Sequence, residues 1–347
     1  MRACVRTSHG PTGSTSSSTD EFTRELTGRR PIRREPQGLH ILAPVKGGVA
    51  AAAHPVQGLL VQAGDAGGGP AHQTSLPARA DDVVLATQPK CGTTWLKALA
   101  FTVATRSRHG LGAADHPLLT RHAQHLVPFI EIPGAGGGHV DTDTLPSPRL
   151  LATHMPMSLL RPETWSLGCR VVYLCRDPKD TLVSRLHFEN KLVARAGGAG
   201  LSMDDAYDMF CEGFSPYGPF WDHCLEYWEE SVARPDTVLF LKYEEIKSDP
   251  ARVVRRLASF LGVPLTEEEE RSGVAEEVAR MCSFETLTGL EVNQVGGVSH
   301  GNRVHVDNSV FYRKGEVGDW ANHMSREMGE KLDRIVQEKL QGSGLVF

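Results

Sequence analysis

The chain has 347 residues with 40 % hydrophobic content, enough for one large domain or two small ones around a sizeable core. A formal net charge of -5 argues against non-specific nucleic-acid binding, although local cation clusters can still hold a small anion. Seven cysteines, an odd number with no C-x-x-C pair, argue against a disulfide framework, and no apolar run approaches a membrane span. A soluble, cytoplasmic protein without a membrane partner is the expectation.

Residues 1–77 are rich in Ser, Thr, Gly, Ala and Arg and lack apolar periodicity, so they read as a disordered extension ahead of a domain over 78–347. A transit peptide is the sharper alternative, weakened by Asp20, Glu21, Glu25 and Glu35. From about residue 80 short apolar runs alternate with helical patterns. The runs at 82–87 (DVVLAT), 149–153 (RLLAT), 170–175 (RVVYLC) and 237–242 (TVLFLK) suit strands covered on both faces, as in a parallel sheet. Helices are expected to start near Thr93, Lys179, Met203, Phe220, Ala251, Glu267 and Arg326, with a capping box from Thr266 to Glu269. The fold class is α/β, a mainly parallel central sheet flanked by helices, with ligand sites at the carboxyl ends of its strands. The segments 105–148 and 189–220 read largely as loops, the first containing the glycine run GAGGGH.

Four segments carry chemistry, three of them directly after strands and one, at 311–320, in a loop. In TQPKCGTTW (87–95) Gly92 permits close backbone approach, Lys90 adds charge, and the helix start at Thr93 and Thr94 offers unpaired N–H groups to an anion. The lysine precedes the glycine, unlike a Walker loop. Cys91 there is expected to have a lowered pKa and to be open to oxidation. In RDPKDTLVSRLHF (176–188) Arg176 can grip a phosphate through two hydrogen bonds, with Ser184 reaching the same region. FYRKGEVGDW (311–320) sets Arg313 and Lys314 beside Gly315, and His154 follows the strand RLLAT, where an imidazole suits general-base work. Each segment has a commoner explanation when read alone: a turn with a Thr N-cap, an Arg176–Asp177 salt bridge, a solvated charge pair, a structural histidine.

Together the segments resemble the plant-type cytosolic sulfotransferases. PKCGTTWLKALAF is similar to that family's 5′-phosphosulfate loop, CRDPKDTLVSRLHF to its 3′-phosphate segment and RKGEVGDW to its C-terminal phosphate signature. PFWDHCLEYWEES, VLFLKYEEIKSDP and CSFETL agree in order and spacing, and the likeness spans roughly 78–347. The resemblance implies a P-loop-nucleoside-triphosphatase-like sulfotransferase fold. It also implies transfer of a sulfuryl group from 3′-phosphoadenosine 5′-phosphosulfate (PAPS) to a hydroxyl of a small acceptor such as a flavonoid, steroid or hydroxyjasmonate, with no metal. It assigns the 5′-phosphosulfate to Lys90, Cys91, Gly92, Thr93, Thr94 and Trp95, and the 3′-phosphate to Arg176, Ser184, Arg313, Lys314 and Gly315. Trp95 and Phe284 would sandwich the adenine with Tyr243 beside it, His154 would be the base, and Lys90 and Ser184 would assist. Cys91 stands where many relatives have Ser, and Ala152 where animal relatives have Lys; the animal dimer pattern is missing from the C-terminus, so a monomer is expected. The alternatives are a kinase-like phosphotransferase and a catalytically impaired relative.

Overall fold

The computed structural model describes residues 78–132, 141–160, 167–300 and 304–347. The extension over 1–77 and the glycine run at 134–139 lie outside the described residues. The four apolar runs form one all-parallel sheet from β1 (Val83–Thr87), β2 (Leu150–Thr153), β3 (Arg170–Cys175) and β4 (Val238–Lys242). Its strand order is β2-β1-β3-β4, with Val83 opposite Leu150 on one side and Arg170 on the other. A two-stranded antiparallel sheet, β5 (Gly297–His300) with β6 (Val304–Asp307), was not read from the sequence.

Alternate strand residues feed two separate cores, as pleating demands. Val83, Leu85, Val172 and Leu174 face one, with α1 (Thr93–Thr105) packed on it; Val84, Ala86, Val171 and Tyr173 face the other, under α2 (Pro178–Arg195), α3 (Met203–Cys211) and α4 (Phe220–Ala233). After β4 the chain runs through α5 (Tyr243–Ser248), α6 (Pro250–Phe260), α7 (Glu267–Arg271), α8 (Val274–Met281) and α9 (Phe284–Gly289). Helix α10 (Arg326–Lys339) closes the fold.

Five helix starts fall where the sequence puts them, and two fall one residue earlier, at Pro178 and Pro250. In both cases Asp177 or Asp249 caps the helix and proline occupies its first position, where its fixed φ suits a helix and its missing N–H costs nothing. Asp177 therefore accepts from the backbone of Lys179 and Asp180, and the ion pair considered for Arg176 goes to Asp180. The capping box at Thr266 and Glu269 is fully formed. The segment at 189–220 is more regular than expected, because α2 continues to Arg195 and α3 follows.

The amino end of the sheet is tied by a buried ion pair. Arg149, fully buried, donates from Nε and Nη2 to the Asp82 carboxylate at 2.7 and 2.6 Å, joining the starts of β2 and β1. Asp82 also accepts from the Arg79 backbone at 2.7 Å, and its carbonyl accepts from Arg170 at the start of β3. Replacing Asp82 with Ala strips a buried guanidinium of its main counter-charge. Denaturant unfolding should show a loss of about 3–5 kcal/mol; a loss below about 1 kcal/mol would mean that other partners already carry Arg149.

Candidate active site

β1 lies between β2 and β3, and the chain departs from it in opposite directions, which opens a crevice at its carboxyl end. Three functional segments emerge side by side there, at Gln88, His154 and Arg176. The first turns tightly, with Lys90 and Gly92 both in the left-handed region at φ 72° and 108°. A Cβ on Gly92 would stand 2.9 Å from the Tyr243 ring, so only glycine fits. Gly92 is itself the cap residue of α1 and no side chain closes the helix start, so Thr93 is not the N-cap. The Thr93 hydroxyl bonds Thr87 Oγ1 at 2.7 Å, and Thr94 Oγ1 accepts from Gln124 at 3.3 Å.

Every site residue read from the sequence except Cys91 borders one cavity of about 350 Å³. The Cys91 side chain turns the other way, into the core below α2, with Sγ 3.6 Å from Thr181 Oγ1. Burial pushes its thiol up to about 12, which reverses the expectation of a lowered pKa at the helix start. Only its backbone belongs to the loop.

At one end of the cavity Trp95 and Tyr243 meet edge to face with centroids 5.1 Å apart, and Phe284 lies against Gly315. Gly315 has φ 67°, and a Cβ there would come 2.4 Å from the Phe284 ring. The cations of this end are held by two carboxylates that sequence reading passed over. Asp319 is buried and accepts from Arg313 Nη1 at 2.5 Å, Lys314 Nζ at 2.6 Å and Asn322 at 3.0 Å. Burial works against its charge, but these hydrogen bonds win and hold the carboxyl well below the usual range. Asp180 accepts from the Gly318 and Trp320 backbone at 2.8 and 3.0 Å and from Arg176 Nη2 at 3.2 Å. Arg176 also donates to the Glu316 carbonyl at 2.5 Å, and its guanidinium lies 4.4 Å from the Tyr243 ring centroid. Its Nε and Trp95 Nε1 are buried without partners. Ser184, 7 % exposed, opens onto the same space.

Lys90 also lines the cavity, its Nζ 4.1 Å from the Phe188 ring centroid. Burial, with repulsion from Arg176, Arg313 and Lys191, brings its ammonium down to about 7.

His154 is fixed from several sides. Its Nδ1 lies 2.8 Å from the Thr87 carbonyl, which can only accept, so Nδ1 carries the proton and Nε2 keeps its lone pair. Its backbone N–H donates to Glu131 at 2.7 Å, and its carbonyl accepts from His223 Nε2 at 2.9 Å. His223 Nδ1 then accepts from the buried Tyr173 hydroxyl at 2.9 Å. The next residue is tied as well, through Tyr227 donating to the Met155 carbonyl at 2.7 Å. Phe129 and Tyr217 flank the imidazole at 4.7 and 5.6 Å. Tyr217 sits at φ 64°, a strained conformation for a bulky residue, and Gln88 holds the flanking Pro216 and Gly218 carbonyls at 3.0 and 3.3 Å. Burial lowers the His154 pKa to about 3 and that of His223 to about 4.

Both rings are thus neutral in the folded protein and take up a proton on unfolding below their ordinary value of 6.5. Stability present above pH 6.5 should fall as pH drops toward 4, with His223 contributing on the order of 3 kcal/mol of the total change. Replacing His223 with Phe removes the partner of the His154 carbonyl and leaves the Tyr173 hydroxyl only the weak acceptor Cys224 Sγ at 3.4 Å. The expected cost is roughly 1–3 kcal/mol at pH 7.5, narrowing at pH 5.5 because the variant has lost one acid-sensitive group. Unfolding curves at the two pH values read this directly; an equal or wider gap at pH 5.5 would contradict it.

Comparison with known proteins agrees with this geometry. The sulfotransferase domain family matches residues 80–344. Cytosolic sulfotransferase 14 of Arabidopsis thaliana is 47 % identical over 281 residues, covering 80 % of this chain and 79 % of its own length. Cytosolic sulfotransferase 15 of the same plant is 46 % identical, covering 77 % and 74 %. A crystal structure of a candidate steroid sulphotransferase from Arabidopsis thaliana superposes with a TM-score of 0.62 at 32 % identity, over 97 % of this chain and 99 % of that one. The parallel sheet with its three convergent loops is the fold of these proteins, and the chain belongs to the sulfotransferase family as a PAPS-dependent enzyme.

Proposed function

We propose that the protein sulfates a hydroxyl of a small organic acceptor, using His154 as the general base and Lys90 to stabilise the leaving oxygen. The observation that carries this reading is the hydrogen bond from His154 Nδ1 to the Thr87 carbonyl, which leaves Nε2 as a proton acceptor at the cavity wall. With its pKa lowered by burial, the ring is neutral and available as a base at neutral pH.

The nucleotide end fits the donor. Unpartnered Trp95 Nε1 and Arg176 Nε, the close approach of Gly315 to Phe284, and the Asp319-bound cations support a purine between two aromatic rings and a phosphate beside Arg313 and Lys314. Ser184 and Arg176 would complete the 3′-phosphate contacts, and the open N–H groups from Gly92 to Trp95 the 5′ end. When bound, the donor supplies a sulfuryl group attached to a phosphate oxygen. His154 takes the hydroxyl proton as the acceptor oxygen bonds to sulfur. Lys90 neutralises the oxygen released as the old sulfur–oxygen bond breaks. The chain's partners would thus be one nucleotide donor and one small acceptor.

Replacing His154 with Ala should lower kcat by about 10²–10⁴-fold while binding of 3′-phosphoadenosine 5′-phosphate (PAP) stays within about twofold of wild type. Turnover near the wild-type rate would remove His154 as the base. Replacing Arg313 or Lys314 with Ala should instead weaken PAP binding by about 10–100-fold in titration calorimetry.

Lys90 adds a pH dependence whose sign follows from its lowered pKa. Below about 7 the free enzyme already holds the cation that the anionic ligand prefers; above 7 that proton must be taken up on binding. PAP affinity should therefore fall by up to about tenfold per pH unit above pH 7, and Lys90→Met should flatten the profile. Equal slopes for the two proteins would show that another group titrates.

A further inference from the structure

Resting on that reading, one buried cation beside the 5′ loop has no part in the transfer step described above. Lys97 follows Thr93 by one turn of α1, is fully buried, and does not itself border the cavity. A buried charge costs free energy that an apolar side chain of the same length would not. Burial draws the lysine pKa well below its usual range, with the Glu131 charge pulling the other way. The Nζ lies 3.5 Å from the Phe129 ring centroid, a contact that also favours the charged form.

Lys97 Nζ donates to Gln124 Oε1. Gln124 sits in a short helical turn, Ala123–Leu126, and its buried side chain borders the cavity. The fully buried His122 caps that turn by accepting from the Gln124 backbone at 3.2 Å, so the glutamine is held through its main chain as well as its side chain. Nε2 of the same amide donates to Thr94 Oγ1 at 3.3 Å. Lys97, Gln124 and Thr94 thus form one chain that starts in the core and ends at the cavity wall.

The chain has a direction. An ammonium can only donate, so the amide has to turn Oε1 toward Lys97 and its NH₂ toward Thr94. A hydroxyl carries a single proton, and with its oxygen accepting from Gln124, Thr94 keeps that proton for another acceptor. Thr94 borders the cavity at the start of α1, beside the open N–H groups, where an anionic oxygen is the natural acceptor. With the amide reversed, Oε1 would face Thr94 and take its proton, and the loop would lose a donor. We infer that Lys97 is a positioning residue for the 5′-phosphate of the nucleotide: acting through Gln124, it fixes the Thr94 hydroxyl as a hydrogen-bond donor to that group.

Two nucleotides test this in titration calorimetry: PAP, and adenosine 3′-phosphate, which lacks the 5′-phosphate. Wild-type protein should bind PAP more tightly. Lys97→Met keeps the length of the side chain but cannot donate; its affinity for PAP should fall by about tenfold while that for adenosine 3′-phosphate stays within about twofold of wild type. Gln124→Leu, on a different element, should reproduce the pattern. Thr94→Val should do so as well, and adding Lys97→Met to it should weaken PAP binding by less than about twofold more, because the lysine acts only through the hydroxyl. Binding of adenosine 3′-phosphate also shows that each variant is folded. Unchanged PAP affinity in Lys97→Met, or an equal loss for both nucleotides, overturns the inference. A full further loss on top of Thr94→Val overturns it too, since the lysine would then act by another route. So does a fall in kcat with PAP affinity intact, which would assign Lys97 to Phe129 and the base. Wild-type protein that binds the two nucleotides equally would overturn the placing of the 5′ end at this loop, and this inference with it.

Discussion

Because Val83–Thr87 pairs in parallel with a strand on either side, the chain leaves three neighbouring strands at the same edge of the sheet. Parallel strands all end in one direction, and order β2-β1-β3-β4 puts the first strand between the second and third. Residues separated by more than sixty positions, such as Thr87 and His154, thereby come within hydrogen-bonding distance. The buried Asp82–Arg149 pair holds the opposite edge, so the register that aligns these ends is fixed at both ends of the strands.

A cluster of cations around a cavity is unstable unless something offsets its mutual repulsion. Asp319 does this for Arg313 and Lys314, and Asp180 for Arg176 while also anchoring the Gly318–Trp320 backbone. An anionic ligand then meets cations already oriented, and little side-chain entropy is lost on binding. The same principle governs the base. Its tautomer is set by a main-chain carbonyl and its backbone by Glu131 and His223, so the lone pair is directed before any acceptor arrives. Burial keeps the ring neutral and at the same time makes the folded protein sensitive to acid.

Strain is concentrated at the same place. The two non-glycine residues with positive φ among the described residues are Lys90 and Tyr217, both lining the cavity that His154 also borders. Each is held by neighbours, Lys90 by the Gly92 turn under Tyr243 and Tyr217 by Gln88. Such conformations persist where the surrounding structure overdetermines them.

The sequence by itself determined the class of fold, the four strands of the parallel sheet and, to within one residue, seven helix starts, since apolar runs, capping residues and prolines act over a few residues and need no distant partner. It also singled out Lys90, His154 and Arg176 at strand ends and Arg313 and Lys314 in a glycine-containing loop. Tertiary structure decided what each of those residues faces. The direction of Cys91 depends on the pleat below it and on Thr181, ninety positions away, so a rule about helix starts misjudged its thiol. Asp180, Asp319, Glu131 and His223 stood inside segments already quoted or beside them, yet nothing in a one-dimensional pattern separates a carboxylate that orients a cation from one that meets water. The Arg185–Glu189 pair is a further case. At i and i+4 on a helix it reads as an ordinary surface salt bridge, and only the tertiary fold buries it.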